Sequence, residues 1–226
     1  MLTPEQLAIQ ARWDTFLANI RDRAQNILAE AQPGCLALFV QGGHDPFTMG
    51  NALPALRSRL LELSAKVQDT WQEKVGHAMS SAGLRWETGM TEEHQKLGAT
   101  QKWLKAAYDG FETRLNADAA RMLAALLDQK IPIQLNCTQC GSAMPLPRAF
   151  IAVNVSCGSC RSVNTFEPGE LRILHSFAIP ALARESAWEE LWQQKTLPKP
   201  DRLLATDTFA QERAKWAERL ASWERP

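Results

Sequence analysis

Apolar side chains recur at the three- and four-residue spacing of an amphipathic helix over most of this chain. The spacing predicts long helices near residues 4–31, 53–80 and 91–129. A further helical run is predicted over 170–195, and a last helix is predicted to begin at residues 206–208. The sequence therefore predicts a mainly α protein.

Local signals mark where these helices begin and end. Thr3 and Gln6 form a capping box for the first helix, and Pro33-Gly34 is expected to end it. Asn51 and Thr91 are the expected caps of the second and third helices, because side-chain oxygens there can accept from free backbone N–H groups.

The third helix is unusually long for a globular protein. At about 1.5 Å per residue it would measure about 57 Å, which favours an elongated helical bundle or a coiled-coil-like hairpin. Its apolar stripe lies between residues 97 and 126, and it is expected to pack either within the chain or between chains. The stripe consists of Leu97, Leu104, Tyr108, Phe111, Leu115, Met122 and Leu126.

Residues 131–168 differ in character from the helical stretches. β-branched and aromatic residues predict strands over 131–135, 149–155 and 162–166. This gives three predicted domains: a helical bundle over 1–130, a small β module over 131–168, and C-terminal helices over 169–226 that pack back on the bundle. No internal repeat is evident.

Two pairs of cysteines lie in the β module. Cys137 and Cys140 form one Cys-x-x-Cys motif, Cys157 and Cys160 form another, and sixteen residues separate them. Either pair alone would also suit a redox dithiol, but four thiolates at this spacing are typical of a tetrahedral zinc site. Iron in an S₄ site is the lesser alternative, because cysteine ligands alone do not exclude it.

The segment resembles the zinc ribbon family in its two knuckles, the gap between them and its β-rich flanks. The resemblance covers residues 131–168, and it implies one zinc ion held by Cys137, Cys140, Cys157 and Cys160. Four cysteines close the coordination shell, whereas a catalytic zinc keeps a position open for water. We therefore expect a structural zinc.

The segment 35–52 is ambiguous. Cys35 begins an apolar run that suits either a short buried strand or a helical turn, and its thiol is expected to be buried and inert. Gly42-Gly43-His44-Asp45 then reads as a loop. His44 and Asp45 are weak catalytic candidates, since a glycine-rich loop can supply backbone N–H groups and His44 a base.

Composition narrows the function classes. The 226 residues include 25 Lys and Arg and 25 Asp and Glu, so the net charge is zero and no basic footprint indicates nucleic acid. The charged residues of the β module are Arg148, Arg161 and Glu167. No apolar run suits a transmembrane helix, and no signal peptide is evident. Unpaired cysteines fit a reducing compartment, so we expect a cytoplasmic protein.

Three functions remain as hypotheses. The first is a non-enzymatic protein–protein interaction or assembly protein with a structural zinc, acting through a protein partner or self-association. The second is an enzyme with a site around Gly42–Asp45. The third is a nucleic-acid-binding regulator that uses the zinc ribbon, which the charge balance disfavours.

Overall fold

The structure, a computed structural model, describes residues 2–132, 134–146, 149–195 and 202–221. It confirms a mainly α protein with a small β module. The chain forms two compact units, one up to Glu112 and one from Thr113. The predicted three-domain division remains a prediction.

The first unit is built from helices. In chain order they are α1 Pro4–Gln41, α2 Pro46–Gly50, α3 Leu53–Thr70, a π-helical turn Trp71–Val75, α4 Gly76–Ser81, a 3-10 turn Trp86–Thr88 and the first part of α5 Met90–Asp128. The predicted second helix thus spans α3, the π-helical turn and α4, and it ends as expected before Gly83, whose φ is +82°.

The core of the first unit joins α1, α3, α4 and α5. Trp13 is 1% exposed, its ring centroid lies 5.6 Å from that of Trp71, and its indole N–H donates to the Glu93 carbonyl at 3.2 Å. Lys96 Nζ lies 2.7 Å from an Asp14 carboxylate oxygen and 2.8 Å from a Glu93 carboxylate oxygen. An ion pair at the surface therefore also links α1 and α5. The other buried members of the core include Leu17, Ile20, Ala24, Leu63, Val67, Met79, Leu97 and Leu104.

The predicted end of the first helix at Pro33-Gly34 is wrong, because α1 runs through Pro33 to Gln41. A proline inside a helix costs about 3 kcal/mol. Cys35 and Phe39 continue the buried face beyond it, and burying such side chains contributes about 1.5–3 kcal/mol each. Tertiary burial thus offsets the local helix breaker, and the ambiguous Cys35–Gln41 run is helical.

Two predicted caps are also wrong. Asn51 follows α2, a short helix absent from the prediction, and α3 begins after Ala52. Thr91 lies within the first turn of α5, where its hydroxyl donates to the Trp86 carbonyl at 2.6 Å. The capping box at Thr3 and Gln6 is confirmed by two reciprocal hydrogen bonds of 3.2 and 2.9 Å.

The buried face of α5 changes along its length. The predicted stripe is buried from Leu97 to Leu115, but Met122 and Leu126 are exposed instead of buried. The buried residues of the last part are Ala119, Ala120, Leu123, Ala124 and Leu127. The buried face of the last part of α5 is thus offset by one residue from the predicted stripe and is rich in alanine.

In the described part of the second unit, the end of α5 is followed by the β module and then by further helices. After a 3-10 turn Gly169–Leu171 and a π-helical turn Leu174–Ala178 come α6 Ile179–Ser186, α7 Trp188–Lys195 and α8 Arg202–Ala221. α8 packs against α6 and α7. The predicted start of the last helix at residues 206–208 is wrong, because the preceding turn is already helical.

The β module consists of two separate antiparallel hairpins. β1 Gln134–Asn136 pairs with β2 Ala143–Pro145, and β3 Val153–Ser156 pairs with β4 Val163–Phe166. β2 lies outside the three predicted strands, and it ends in Pro145, a residue that disfavours a strand interior. Pro145 lies at the end of the ladder, opposite Gln134, where a proline is tolerated.

Candidate metal centre

Each hairpin ends in a knuckle that carries one Cys-x-x-Cys pair. In the first knuckle the backbone N–H of Cys137 donates to the Ser142 carbonyl, and the N–H of Gly141 donates to the Cys137 carbonyl, both at 2.9 Å. The second knuckle repeats both bonds at 2.9 Å, from Cys157 to Ser162 and from Arg161 to Cys157. Both turns therefore present two sulfurs from one tight loop.

The two hairpins form an internal repeat that was missed in the sequence. Every residue pair of the β1–β2 ladder, and every knuckle hydrogen bond, recurs in the second hairpin with both residue numbers increased by 20. Cys157, for example, is the equivalent of Cys137. Gly141 and Arg161 are equivalent and share a left-handed backbone, with φ of 74° and 62°. The repeat was missed because few side chains outside Cys and Ser are shared.

The four sulfurs converge on one point. All lie within 4.8 Å of one another, with 3.5 Å between Cys137 Sγ and Cys160 Sγ and 3.6 Å between Cys140 Sγ and Cys157 Sγ. In a tetrahedral S₄ site with Zn–S bonds near 2.3 Å, the sulfurs stand about 3.8 Å apart. The observed spacing fits such a site, so the cluster can hold a metal ion.

Hydroxyl groups surround the sulfurs. The Ser162 hydroxyl lies 3.0 Å from both Cys137 Sγ and Cys160 Sγ, and the Ser142 hydroxyl lies 3.3 Å from Cys140 Sγ. The Ser162 hydroxyl and the backbone N–H groups of the knuckle lower the pKa of Cys137 to about 5. The Ser142 hydroxyl and backbone N–H likewise lower the pKa of Cys140.

Neighbouring sulfurs oppose ionisation at Cys160. Its contact with Ser162 acts to lower the pKa of Cys160, but partial desolvation and the hydrogen bonds shared with Cys140 and Cys137 outweigh that contact and raise the pKa. Several thiolates at this spacing repel one another, and a bound divalent cation removes that repulsion and deprotonates coordinating thiols. The donor set is thus suited to a soft divalent metal such as zinc.

The four cysteines differ in solvent exposure. Cys137 and Cys157, the first of each pair, are buried, whereas Cys140 and Cys160 are exposed. The buried pair packs with Met144 and with partly buried Leu135 and Val155. This small cluster lies next to the sulfurs, and Leu146, Phe150 and Phe166 of the module are also buried.

The weak catalytic candidates lie in the first unit. His44 has a φ of 66° and contacts the Phe39 ring edge-on, with centroids 5.2 Å apart. The Asp45 carboxylate accepts from the Phe47 N–H at 3.0 Å and caps α2. These contacts show that both residues help to form the turn between α1 and α2. Their catalytic role remains a prediction. Cys35 is buried, and burial raises the pKa of its thiol, as expected for an inert cysteine.

A groove of about 240 Å³ lies between α3 and α5 in the first unit. Leu60, Leu61 and Leu104 form its apolar lining, and Arg57 and Lys105 lie on its polar side. The groove is not lined by His44 or Asp45. It therefore adds no support to a site around the Gly42–Asp45 loop.

Asn164 and Thr138 were missed as contributors to the cysteine site. Asn164 is 3% exposed, and its side-chain oxygen accepts from the backbone N–H of Thr138 at 2.8 Å and from the Thr138 hydroxyl at 2.9 Å. The sequence signal that could have identified Asn164 is the 20-residue repeat. Aligning its two halves places the polar Asn164 opposite the apolar Met144.

Among the residues described, no helix is both long and apolar enough to cross a membrane. No protein-family model, curated protein or solved structure matches this chain.

Proposed function

We propose that this chain is a non-enzymatic interaction or assembly protein whose β module is held by one structural zinc ion. The observation that carries the proposal is the convergence of four cysteine sulfurs within 4.8 Å. Their donor chemistry and spacing suit zinc, with iron as the lesser alternative.

A structural role follows from the composition of the shell. Four cysteines occupy all four tetrahedral positions, whereas a catalytic zinc binds three protein ligands and a water. The side chains nearest the sulfurs are the hydroxyls of Ser142 and Ser162, and Asn164 and Thr138 bond to each other beside them. Neutral hydroxyl and amide groups of this kind do not take the place of a thiolate ligand. The ion would therefore stabilise the fold of the module.

Exposed apolar side chains support an interaction role for the helices. Phe47 is 81% exposed, and Leu38 and Val40 are exposed nearby in the chain. The Thr48 hydroxyl donates to the Leu38 carbonyl at 3.2 Å, which brings the start of α2 to the end of α1. This corner offers apolar surface to a protein partner or a second copy.

Metal analysis of the purified full chain tests the zinc site. We expect one zinc ion per chain, lost when Cys140 is replaced. If the chain contained iron in place of zinc, the four-cysteine site would stand and only the identity of the metal would be corrected. A reduced chain that contains neither metal, and takes up neither on reconstitution, would contradict the proposal.

Light scattering tests the interaction role, against a monomer mass of 25.2 kDa. We expect association with itself or with a captured protein partner, weakened by Phe47→Asp. Gln41→Asp is the matched control, because it adds the same charge at an exposed polar position of the same corner. A monomer that captures no partner, with Phe47→Asp unchanged, would argue against this role.

The alternatives predict other outcomes. An enzyme using the Gly42–Asp45 loop would lose activity in His44→Ala. A nucleic-acid-binding regulator would shift non-specific DNA or RNA at low salt, although the described charged residues of the β module are one cation, Arg161, and one anion, Glu167. We propose a reducing, cytoplasmic location, because zinc-binding thiolates must remain reduced.

A further inference from the structure

Position 164 breaks the repeat between the two hairpins. Its equivalent in the first hairpin is Met144, which is 2% exposed, whereas Asn164 is an amide that is 3% exposed. A buried amide is unfavourable unless its hydrogen bonds are made. The contacts of Asn164 therefore indicate why a polar residue lies beside the sulfurs.

The neighbours of Asn164 fix the orientation of its side-chain amide. The backbone N–H of Thr138 can only donate, so the atom 2.8 Å away from it is Oδ1. The backbone carbonyl of Ser162 can only accept, so the atom 3.3 Å away from it is Nδ2. Nδ2 is thus the atom 3.6 Å from Cys137 Sγ and 3.6 Å from Met144 Sδ.

We propose that Asn164 is the positioning residue that couples the two knuckles and donates an N–H to the Cys137 sulfur. Asn164 lies in β4 of the second hairpin, whereas Thr138 and Cys137 lie in the first knuckle. One side chain therefore holds the first knuckle in place and stabilises the negative charge of its buried thiolate. The inference rests on the proposed zinc site.

This contact makes the two halves of the site inequivalent. Cys157 is the equivalent of Cys137, and Met144 is the equivalent of Asn164, but a methionine side chain has no hydrogen to donate. The Cys137 sulfur is therefore held by a side-chain N–H that the repeat does not supply to Cys157.

Asn164→Asp in the full chain is the sharpest variant. It keeps the size of the side chain and an oxygen that accepts from Thr138, but it replaces the donor with an acceptor beside a thiolate. Asn154→Asp is the matched control, because Asn154 is exposed on β3 and its oxygen accepts from the Thr165 hydroxyl at 2.9 Å, a bond that the variant retains.

Both variants are titrated with Co²⁺ alone, and zinc affinity is then measured by competition with a chromophoric chelator. We expect Asn164→Asp to bind 10–100-fold more weakly, with a shifted sulfur-to-cobalt charge-transfer band at saturation. Asn154→Asp should match the native chain. Native affinity and band position in Asn164→Asp, or equal weakening in Asn154→Asp, would overturn the inference. A native chain without a tetrahedral cobalt spectrum would instead overturn the proposed metal site.

A measurement on the native chain covers the case in which Asn164→Asp does not fold. With cadmium-113 bound, we expect a scalar coupling between the metal and an Asn164 side-chain amide proton, transmitted through the N–H···S hydrogen bond. Absence of this coupling, in a sample that shows coupling from cadmium to the cysteine β-protons, would overturn the inference.

Discussion

The first helical unit and the β module are stabilised in different ways. The helical unit buries large side chains from four helices, including Trp13, Leu17 and Val67. Around the sulfurs, the β module buries Cys137, Met144 and Cys157. The difference teaches that one part of this chain is held by apolar burial, whereas the other brings together four sulfurs that can hold a metal ion.

The magnitudes support this division. A fully buried large apolar side chain contributes about 1.5–3 kcal/mol, and the helical unit has many of them. The described residues of the β module bury fewer large apolar side chains, among them Met144, Leu146, Phe150 and Phe166. Very small folds usually need metals or disulfides in addition to such a core. A structural zinc contributes on the order of 10 kcal/mol or more.

Cys140→Ser should produce the largest difference between the two parts. Because the site loses one of its four sulfurs, we expect it to lose zinc and the β module to unfold, at a cost on the order of 10 kcal/mol. The helical content should persist. Metal analysis and circular dichroism measure both effects.

Cys35→Ala is the control for that variant. It also removes a cysteine, but a buried one in α1. It should lower the stability of the helical unit modestly and leave zinc content unchanged. Full zinc occupancy with native melting in Cys140→Ser would show that the sulfurs do not hold the module.

Phe39→Ala should destabilise the helical unit and leave the β module intact, the opposite of Cys140→Ser. Phe39 is fully buried in α1, so its truncation should lower the free energy of unfolding of the helical unit by about 3–5 kcal/mol. Chemical denaturation measures the loss, and zinc affinity should not change. A loss below about 1 kcal/mol would show that the α1 extension past Pro33 does not contribute to the core.

Pro33→Ala should stabilise the helical unit. The variant restores a backbone N–H and removes a ring clash inside α1, with an expected gain of about 2 kcal/mol after the entropy of the unfolded chain is counted. Pro54→Ala is the matched control, because Pro54 lies in the first turn of α3, where proline is tolerated. Equal melting temperatures for Pro33→Ala and the native chain would contradict this account.

Gly141→Ala should weaken the site by the smallest amount. Gly141 has a φ of 74°, so a side chain there costs about 1 kcal/mol, or roughly fivefold in zinc affinity. Gly158→Ala is the control, because it lies in the equivalent knuckle without a positive φ, and neither glycine has a neighbour within 4 Å of an added Cβ. Equal zinc affinities of the two variants would rule out the backbone explanation.

Sequence predicts the features that depend on near neighbours. The capping box depends on Thr3 and Gln6, three residues apart, and each Cys-x-x-Cys knuckle is a local turn. Both are therefore readable from spacing.

Features set by distant contacts were not predictable in the same way. α1 continues through Pro33 because Phe39 beyond it is buried. At the end of α5, Leu123 is buried and Met122 is exposed, and the spacing of apolar residues alone does not distinguish these two faces. Asn164 contacts Cys137 only once two hairpins fold together. Burial by the tertiary structure overrides local propensity at each of these places.

Hydrogen–deuterium exchange of the full chain, with zinc and after chelation, tests the central claim most directly. The account predicts that chelation removes protection from β1 to β4 while the buried faces of α1 and α3 keep theirs. Strands that stay protected without metal, or helices of the first unit that lose protection together with the strands, would contradict it.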